Sequence, residues 1–307
     1  MVKFVLRSIK IGYSNIILVL VLTTGVIAIL ASTIPYGRLL CLQRICGIWY
    51  PSNINARDEL WQLAIAASSF QSFPPTMPGF AGLALSGYHY LYALILRVVS
   101  LNGVISFNFL SSFLFPIVWV ILYSFLSFKI ARILSKSKVF VTTFIFLQFF
   151  AGSFGYFFTL YHKGTLLGSE GMNYNPILYL TNKPLALSIL LFLWVIVTLL
   201  EKKTHGRTTL IAVSLFLQWG AKFHGGVALL VLLFAWIATQ TAKKEFSLRK
   251  SITHVGLFLS VSAIAVLVFY NPFAGHSSSS PIRFSPFAIV HSIIETKDMM
   301  YLKDMVN

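Results

Sequence analysis

The sequence predicts an all-α integral membrane protein, a polytopic bundle of about seven to eight transmembrane helices. Only 10% of the 307 residues are charged and 57% are apolar, whereas about a quarter of the residues in a soluble domain are charged. The apolar residues form runs that reach the roughly 20 residues a helix needs to cross a bilayer. Barrel strands would instead alternate apolar and polar residues with a period of two. The chain, residues 1–307, is therefore expected to form one transmembrane domain.

Lysine and arginine residues gather in four short clusters, each beside an apolar run. The clusters are Lys3, Arg7 and Lys10; Lys129, Arg132, Lys136 and Lys138; Lys202, Lys203 and Arg207; and Lys243, Lys244, Arg249 and Lys250. Cytoplasmic loops carry such an excess of positive charge, which accounts for the net charge of +16. Nucleic acid is a poor partner for these clusters, because the aromatic residues lie within the spans and not among the basic residues. We expect a multi-pass cell-membrane protein with a cytoplasmic amino terminus, surrounded by membrane lipids.

The first apolar run, residues 16–34, follows the basic amino terminus and is typical of a signal anchor. A cleaved signal peptide would have a shorter apolar core and a small-x-small cleavage site. Residues 35–87 then form the longest polar segment, which predicts a long first extracytoplasmic loop. Within this loop, residues 57–70 predict a short amphipathic helix at the membrane interface. Its apolar face consists of Leu60, Leu63, Ala64 and Ala67.

Cys41 and Cys46 are the two cysteines of the chain, and both lie in this loop. Two cysteines alone do not make a zinc site. A disulfide forms if the compartment is oxidising, and two unpaired thiols are the alternative.

Five further runs predict membrane spans, at residues 109–128, 139–158, 185–200, 210–240 and 255–270. Residues 88–107 are ambiguous because polar side chains interrupt them. A full crossing there would put the cluster that begins at Lys129 outside, against the positive-inside rule, so a re-entrant segment is one alternative.

Polar residues also interrupt the run at 210–240, from Gln218 to Gly226. Because basic loops flank both ends of the run, two short helices that meet at a polar tip fit best. Broken helices are tolerated in membranes only where protein or water satisfies the freed backbone groups. Lys222 and His224 are therefore candidates for lining a cavity, and a kinked helix with a snorkelling Lys222 is the simpler alternative.

The chain has eight acidic residues, few enough to find candidate catalytic carboxylates by setting aside those with another explanation. Five belong to the inner loops or the terminal segment, namely Glu201, Glu245, Glu295, Asp298 and Asp304. The acids on the outer side are then Asp58, Glu59 and Glu170. The adjacent Asp58 and Glu59 begin the amphipathic helix, where acids also gain simply from the helix dipole.

Three short motifs resemble the GT-C superfamily of membrane glycosyltransferases, most closely the uncharacterised bacterial relatives of the protein mannosyltransferases and lipid-A aminoarabinose transferases. The motifs are Arg57-Asp58-Glu59-Leu60, Phe73-Pro74-Pro75 and Gly87-Tyr88-His89-Tyr90. The resemblance rests on about the first 100 residues of the chain. It implies a GT-C-like fold and transfer of a sugar from a polyprenyl-phosphate donor to an acceptor on the outer face of the membrane. Members of this superfamily are usually considerably longer, so we expect the chain to be truncated at its C-terminus.

The resemblance also implies residue roles. Asp58 would act as the general base on the acceptor hydroxyl, with Glu59 assisting it. Cations and donors would meet the charge that grows on the leaving lipid phosphate, and the available candidates are Lys163, Lys222, His224 and Arg97. The candidates for substrate binding are Tyr88, His89, Lys163, Lys222 and His224. No cofactor is predicted. A divalent metal stays an open alternative for which no ligand can be assigned, since Trp61-Gln62 stands where relatives often carry a histidine.

Two other functions stay open at this point. A transporter or flippase for a polar or lipid-linked substrate would use Lys222 and His224 as a midplane site. Transporters typically carry paired interrupted helices in two repeats, and this sequence has one interruption. A membrane assembly protein without chemistry is the other alternative, in which Asp58 and Glu59 only begin a helix.

Overall fold

The computed structural model describes residues 13–33, 38–42, 45–49, 56–79, 83–150, 180, 182–201 and 206–270. These residues are mainly α-helical, as predicted. In chain order the elements are α1 (Tyr13–Thr33), β1 (Arg38–Leu42), β2 (Ile45–Trp49), α2 (Ala56–Ser68), α3 (Leu91–Val99), α4 (Phe107–Leu134), α5 (Lys138–Phe150), α6 (Lys183–Leu200), α7 (Arg207–Ala221), α8 (Phe223–Ala242) and α9 (Leu248–Tyr270). Helix α4 contains one π-helical turn, Leu110–Leu114.

Four helices of the described chain are long and apolar enough to cross a membrane, namely α4, α6, α8 and α9. Two more apolar stretches are shorter, Asn15–Ala28 within α1 and Lys138–Phe150. The prediction of apolar membrane helices is therefore confirmed. The larger number of spans stays a prediction, and residues 151–158 of one predicted span lie outside the described residues.

A two-stranded antiparallel hairpin is the exception to the predicted all-α class. Strands β1 and β2 are separated by two residues, a spacing that favours a tight hairpin. Their register sets the Cα of Cys41 opposite that of Cys46. The hairpin lies in the predicted outer loop and therefore outside the predicted membrane spans.

The ambiguous stretch at residues 88–107 contains one short helix, α3, and not a full membrane crossing. Helix α3 has nine residues, or about 14 Å at 1.5 Å per residue, which is under half of a bilayer core. It ends at a turn in which Leu101, Asn102 and Gly103 have φ values of +50°, +58° and +101°. Because this stretch does not cross as a helix, α4 is the next candidate span after α1.

The helices α7 and α8 form a tight antiparallel pair, which agrees with the predicted pair of short helices that meet at a polar tip. Lys222 alone separates them, in an extended conformation. At the opposite end of the pair, the Arg207 guanidinium lies 5.1 Å from the centre of the Trp236 ring. The pair packs closely, because a Cβ added to Gly226 would collide with the Trp219 ring. Small residues allow such close approach between membrane helices.

The bundle has two chemically different ends. At the basic end, Lys129 near the end of α4 pairs with Glu201, which directly follows α6, with Nζ and Oε1 2.7 Å apart. Arg207 and Lys243 lie at the same end, since they begin α7 and follow α8. At the polar end, the Gly87 backbone N–H donates to the carbonyl oxygen of Tyr270, the last residue of α9, at 2.7 Å. We call these the basic end and the polar end below.

Candidate functional site

Helix α2 turns its polar face toward the protein. Glu59 and Gln62, one helical turn apart, are 8% and 0% exposed. Leu60, on the predicted apolar face, is 46% exposed. The predicted helix is thus present, but its apolar residues are uncovered only in part, since Leu63 packs against the core and Ile65 is 0% exposed. The uncovered part suits a helix at a membrane interface, where apolar side chains contact lipid.

The buried carboxylate of Glu59 ends a chain of hydroxyl groups. Ser111 Oγ donates a hydrogen bond to Glu59 Oε1. Tyr92 and Ser111 share a hydrogen bond of 2.6 Å between their hydroxyl oxygens. Because the one hydroxyl hydrogen of Ser111 points at Glu59, Tyr92 is the donor of the second bond. Ser111 lies in the π-helical turn of α4, a distortion that is frequent at functional sites.

A second polar chain begins one turn further along α2. Gln62 Nε2 donates to the Tyr88 hydroxyl at 3.1 Å. The Tyr88 ring stacks on the His89 ring, with centroids 4.5 Å apart and 21° between their planes. His89 Nε2 lies 3.3 Å from Lys222 Nζ. This chain joins α2 to the tip between α7 and α8.

His89 is neutral in this arrangement. An ammonium group has no acceptor, so Lys222 donates and His89 Nε2 accepts. Burial is the largest cause that lowers the pKa of His89, and the charges of Lys222 and His224 lower it further, to about 3. The site therefore holds its positive charge on Lys222 and keeps an uncharged imidazole beside it.

Lys183 is the functional candidate that sequence analysis missed. It is 1% exposed, and its Nζ has no hydrogen-bond partner within the described residues. The carboxylate of Glu59 attracts it electrostatically, which sets Lys183 at the polar end. A lysine at the head of an apolar run was the available signal, because ionisable residues inside membrane segments are usually functional.

The structure brings together four of the predicted site residues. Glu59, Tyr88, His89 and Lys222 belong to the two polar chains. His224 is exposed, and its charge acts on His89 from the first turn of α8. Asp58 lies in the first turn of α2, and the position of its side chain lies outside the described part of the structure. Lys163 also lies outside the described residues.

Arg97 has a structural role instead. Its Nη1 donates to the Ala67 carbonyl oxygen at 3.3 Å, which ties α3 to α2. No group of three or more His, Cys, Asp and Glu side chains within the described ranges is placed to hold a metal ion.

The fold and the site together define a helical, membrane-type protein with a carboxylate and two lysines at one end of its bundle. No protein-family model, curated protein or solved structure matches the chain. The function is therefore inferred from the site.

Proposed function

We propose that this chain is an integral membrane glycosyltransferase-like protein that takes a sugar from a polyprenyl-phosphate donor. One observation carries the proposal: the buried carboxylate of Glu59 shares the polar end of the bundle with the buried Lys183 and with Lys222. A proton acceptor and cations for a phosphate thus lie at the same end of the bundle, where a lipid head group would lie. The resemblance of the acidic, Pro-Pro and Tyr-His motifs to GT-C enzymes supports the same class. The acceptor lies on the outer face of the cell membrane.

The reaction is a substitution at the anomeric carbon. The acceptor hydroxyl oxygen bonds to that carbon, and the bond from the carbon to the phosphate oxygen breaks. The polyprenyl phosphate leaves with the electron pair, and the hydroxyl proton passes to a carboxylate. Such general-base catalysis typically contributes 10²–10⁴-fold.

The acidic pair supplies that carboxylate. The resemblance to GT-C enzymes implies Asp58 as the base, with Glu59 assisting it. The contact with Ser111 turns Glu59 toward the polar end, and the Cα of Asp58 stands about 100° further round the helix. The geometry therefore favours Glu59 as the proton acceptor, and separate variants of the two residues distinguish them.

Lys183 and Lys222 stabilise the leaving phosphate. Fixed cations that face developing charge are worth more in a site that excludes water. Neutral His89 accepts a hydrogen bond from Lys222 and so orients its ammonium group. Tyr88 lies beside this pair, with its hydroxyl bonded to Gln62.

The alternative functions are supported less well. A transporter site would lie near the middle of the bilayer, whereas Lys222 lies at the tip of a helix pair, with the basic loops at the other end. Burial of Lys183 with no hydrogen-bond partner among the described residues is costly, which disfavours a purely structural role.

The test is transfer from radiolabelled polyprenyl-phosphate sugars in membranes that contain the full reading frame. We expect wild-type protein to release label from at least one donor, and Glu59→Gln to lower the rate by about 10²-fold or more. Asp58→Asn tests the other base, and Glu245→Gln, at an exposed position of the basic end, is the matched control. Wild-type protein that transfers no sugar from a broad donor panel, or full activity in both Glu59→Gln and Asp58→Asn, overturns the proposal.

A further inference from the structure

An apolar cavity of about 240 Å³ lies between α4 and α6. Its lining includes Trp119, Leu122 and Leu126 of α4 and Leu187, Leu190 and Trp194 of α6. We call it the α4–α6 groove. An engineered cavity of about 150 Å³ lined by aliphatic and aromatic side chains stays dry and binds benzene. The α4–α6 groove is therefore large enough to hold a stretch of hydrocarbon chain.

The groove opens sideways, toward the apolar exterior of the bundle. Leu122 and Trp194 at its mouth are 43% and 41% exposed, whereas Trp119 and Leu190 are 8% and 6% exposed. In a membrane, the surroundings of this mouth are lipid chains. A hydrocarbon chain can thus enter from the bilayer without passing through water.

The α6 wall of the groove leads to Lys183. Residues three and four apart lie on one face of a helix, and steps of four, three and four residues connect Lys183, Leu187, Leu190 and Trp194. Lys183 stands at the first position of α6, at the polar end. Lys183, whose Nζ has no hydrogen-bond partner in the described part of the chain, is therefore at the head of the face that lines the groove.

The α4 wall leads to the same place. Steps of four, four and three residues connect Ser111, Phe115, Trp119 and Leu122 along one face of α4. Ser111 holds the carboxylate of Glu59. Both walls of the groove thus converge on the polar end where that carboxylate attracts Lys183.

We propose that the α4–α6 groove binds the hydrocarbon chain of a lipid phosphate, whose phosphate accepts a hydrogen bond from Lys183. Hydrogen-bond complementarity carries the choice of ligand, because the buried Lys183 Nζ has no hydrogen-bond partner among the described residues and a phosphate is a strong acceptor. The apolar lining favours contact with the hydrocarbon chain of a lipid and offers no favourable contact to a free anion. The α4–α6 groove would then be the lipid site of the proposed transferase. Lipid binding there rests on the proposed function only in the claim that the lipid carries a sugar.

The test is binding of undecaprenyl phosphate and of uncharged undecaprenol to the full chain in phosphatidylcholine nanodiscs. Leu187→Trp fills the groove, and Val231→Trp, at an exposed position of α8, is the matched control. We expect Leu187→Trp to weaken binding of both lipids by about tenfold or more, since it removes the space for the chain. Lys183→Met should weaken binding of undecaprenyl phosphate by about tenfold or more and leave undecaprenol nearly unchanged. Inorganic phosphate should not displace the lipid.

The outcomes separate this inference from the proposed function. Lipid binding that depends on Leu187 and Lys183, without sugar transfer from any donor, keeps the lipid site and rejects the transferase. Sugar transfer together with wild-type lipid binding in Leu187→Trp keeps the transferase and rejects the groove. If Lys183→Met does not fold, the comparison of Leu187→Trp with Val231→Trp still decides the matter. Displacement by inorganic phosphate alone rejects the lipid as the ligand.

Discussion

Ser111 and Glu59 are 52 residues apart in the sequence, and the hydroxyl of Ser111 donates a hydrogen bond to the Glu59 carboxylate. This contact joins the interfacial helix α2 to the membrane helix α4. It also gives the buried carboxylate a fixed direction, because the hydroxyl of Ser111 is bonded in turn to that of Tyr92. The acidic pair is thus part of the bundle and not only the beginning of a surface helix.

Ser111→Ala should destabilise the protein by about 1–3 kcal/mol, since it leaves a buried carboxylate without its donor. The measurement is thermal unfolding of the purified protein in detergent. Ser112→Ala is the control, because within the described residues Ser112 donates to Asn108, one turn earlier in the same helix. Equal stability of the Ser111 and Ser112 variants would show that the contact contributes nothing.

The His89 imidazole should make the protein less stable in acid. Its pKa is lowered to about 3 in the folded protein, against about 6.5 in an unfolded chain. Between these values the unfolded chain binds a proton that the folded chain excludes, so stability falls as the pH falls from about 6.5 toward 3.

Thermal unfolding of wild-type protein, His89→Gln and His224→Gln across that pH range tests this prediction. We expect His89→Gln to lose part of the acid dependence. His224→Gln, at an exposed neighbouring site, should keep most of it. A pH profile of His89→Gln identical to that of wild-type protein would contradict the assignment.

Gly220→Ala should destabilise the bundle by about 1–3 kcal/mol through overpacking. A Cβ at Gly220 would collide with the ring of Phe269 on α9. Gly256→Ala is the matched control, because a Cβ there meets nothing within 4 Å, and alanine is the better helix former. Thermal unfolding distinguishes the two, and a Gly220 variant as stable as the Gly256 variant would show that the α7–α9 contact is looser than described.

The basic end should face the cytoplasm and the polar end the outside, as the positive-inside rule requires. In a chain that carries Cys41→Ser and Cys46→Ser, a single Lys136→Cys or His224→Cys change provides one exposed thiol at either end. An impermeant maleimide should label His224→Cys in intact cells and Lys136→Cys only after permeabilisation. The reverse pattern would invert the proposed orientation.

The polar tip at Lys222 was predictable because the signal is local. Polar residues between two apolar runs, with basic loops at both ends, favour two antiparallel helices that meet at a polar tip. The same reasoning failed to decide residues 88–107, since an apolar stretch with polar interruptions fits either a crossing or a short helix. The turn after α3 settled this point through left-handed backbone at Leu101 and Asn102. Asn102-Gly103 is a typical turn pair, but a turn does not by itself show whether the helix before it has crossed the membrane.

Composition and charge by themselves determined that this chain has apolar membrane helices with basic clusters between them, because a bilayer constrains every residue of a span in the same way. Only the tertiary structure decided which polar groups meet. Glu59, Ser111, Lys183 and Lys222 come from four separate segments, and their convergence depends on how each helix is rotated and packed. The contact of the buried Glu59 carboxylate with Ser111 joins distant segments, which no local pattern encodes, and the same packing buries Lys183.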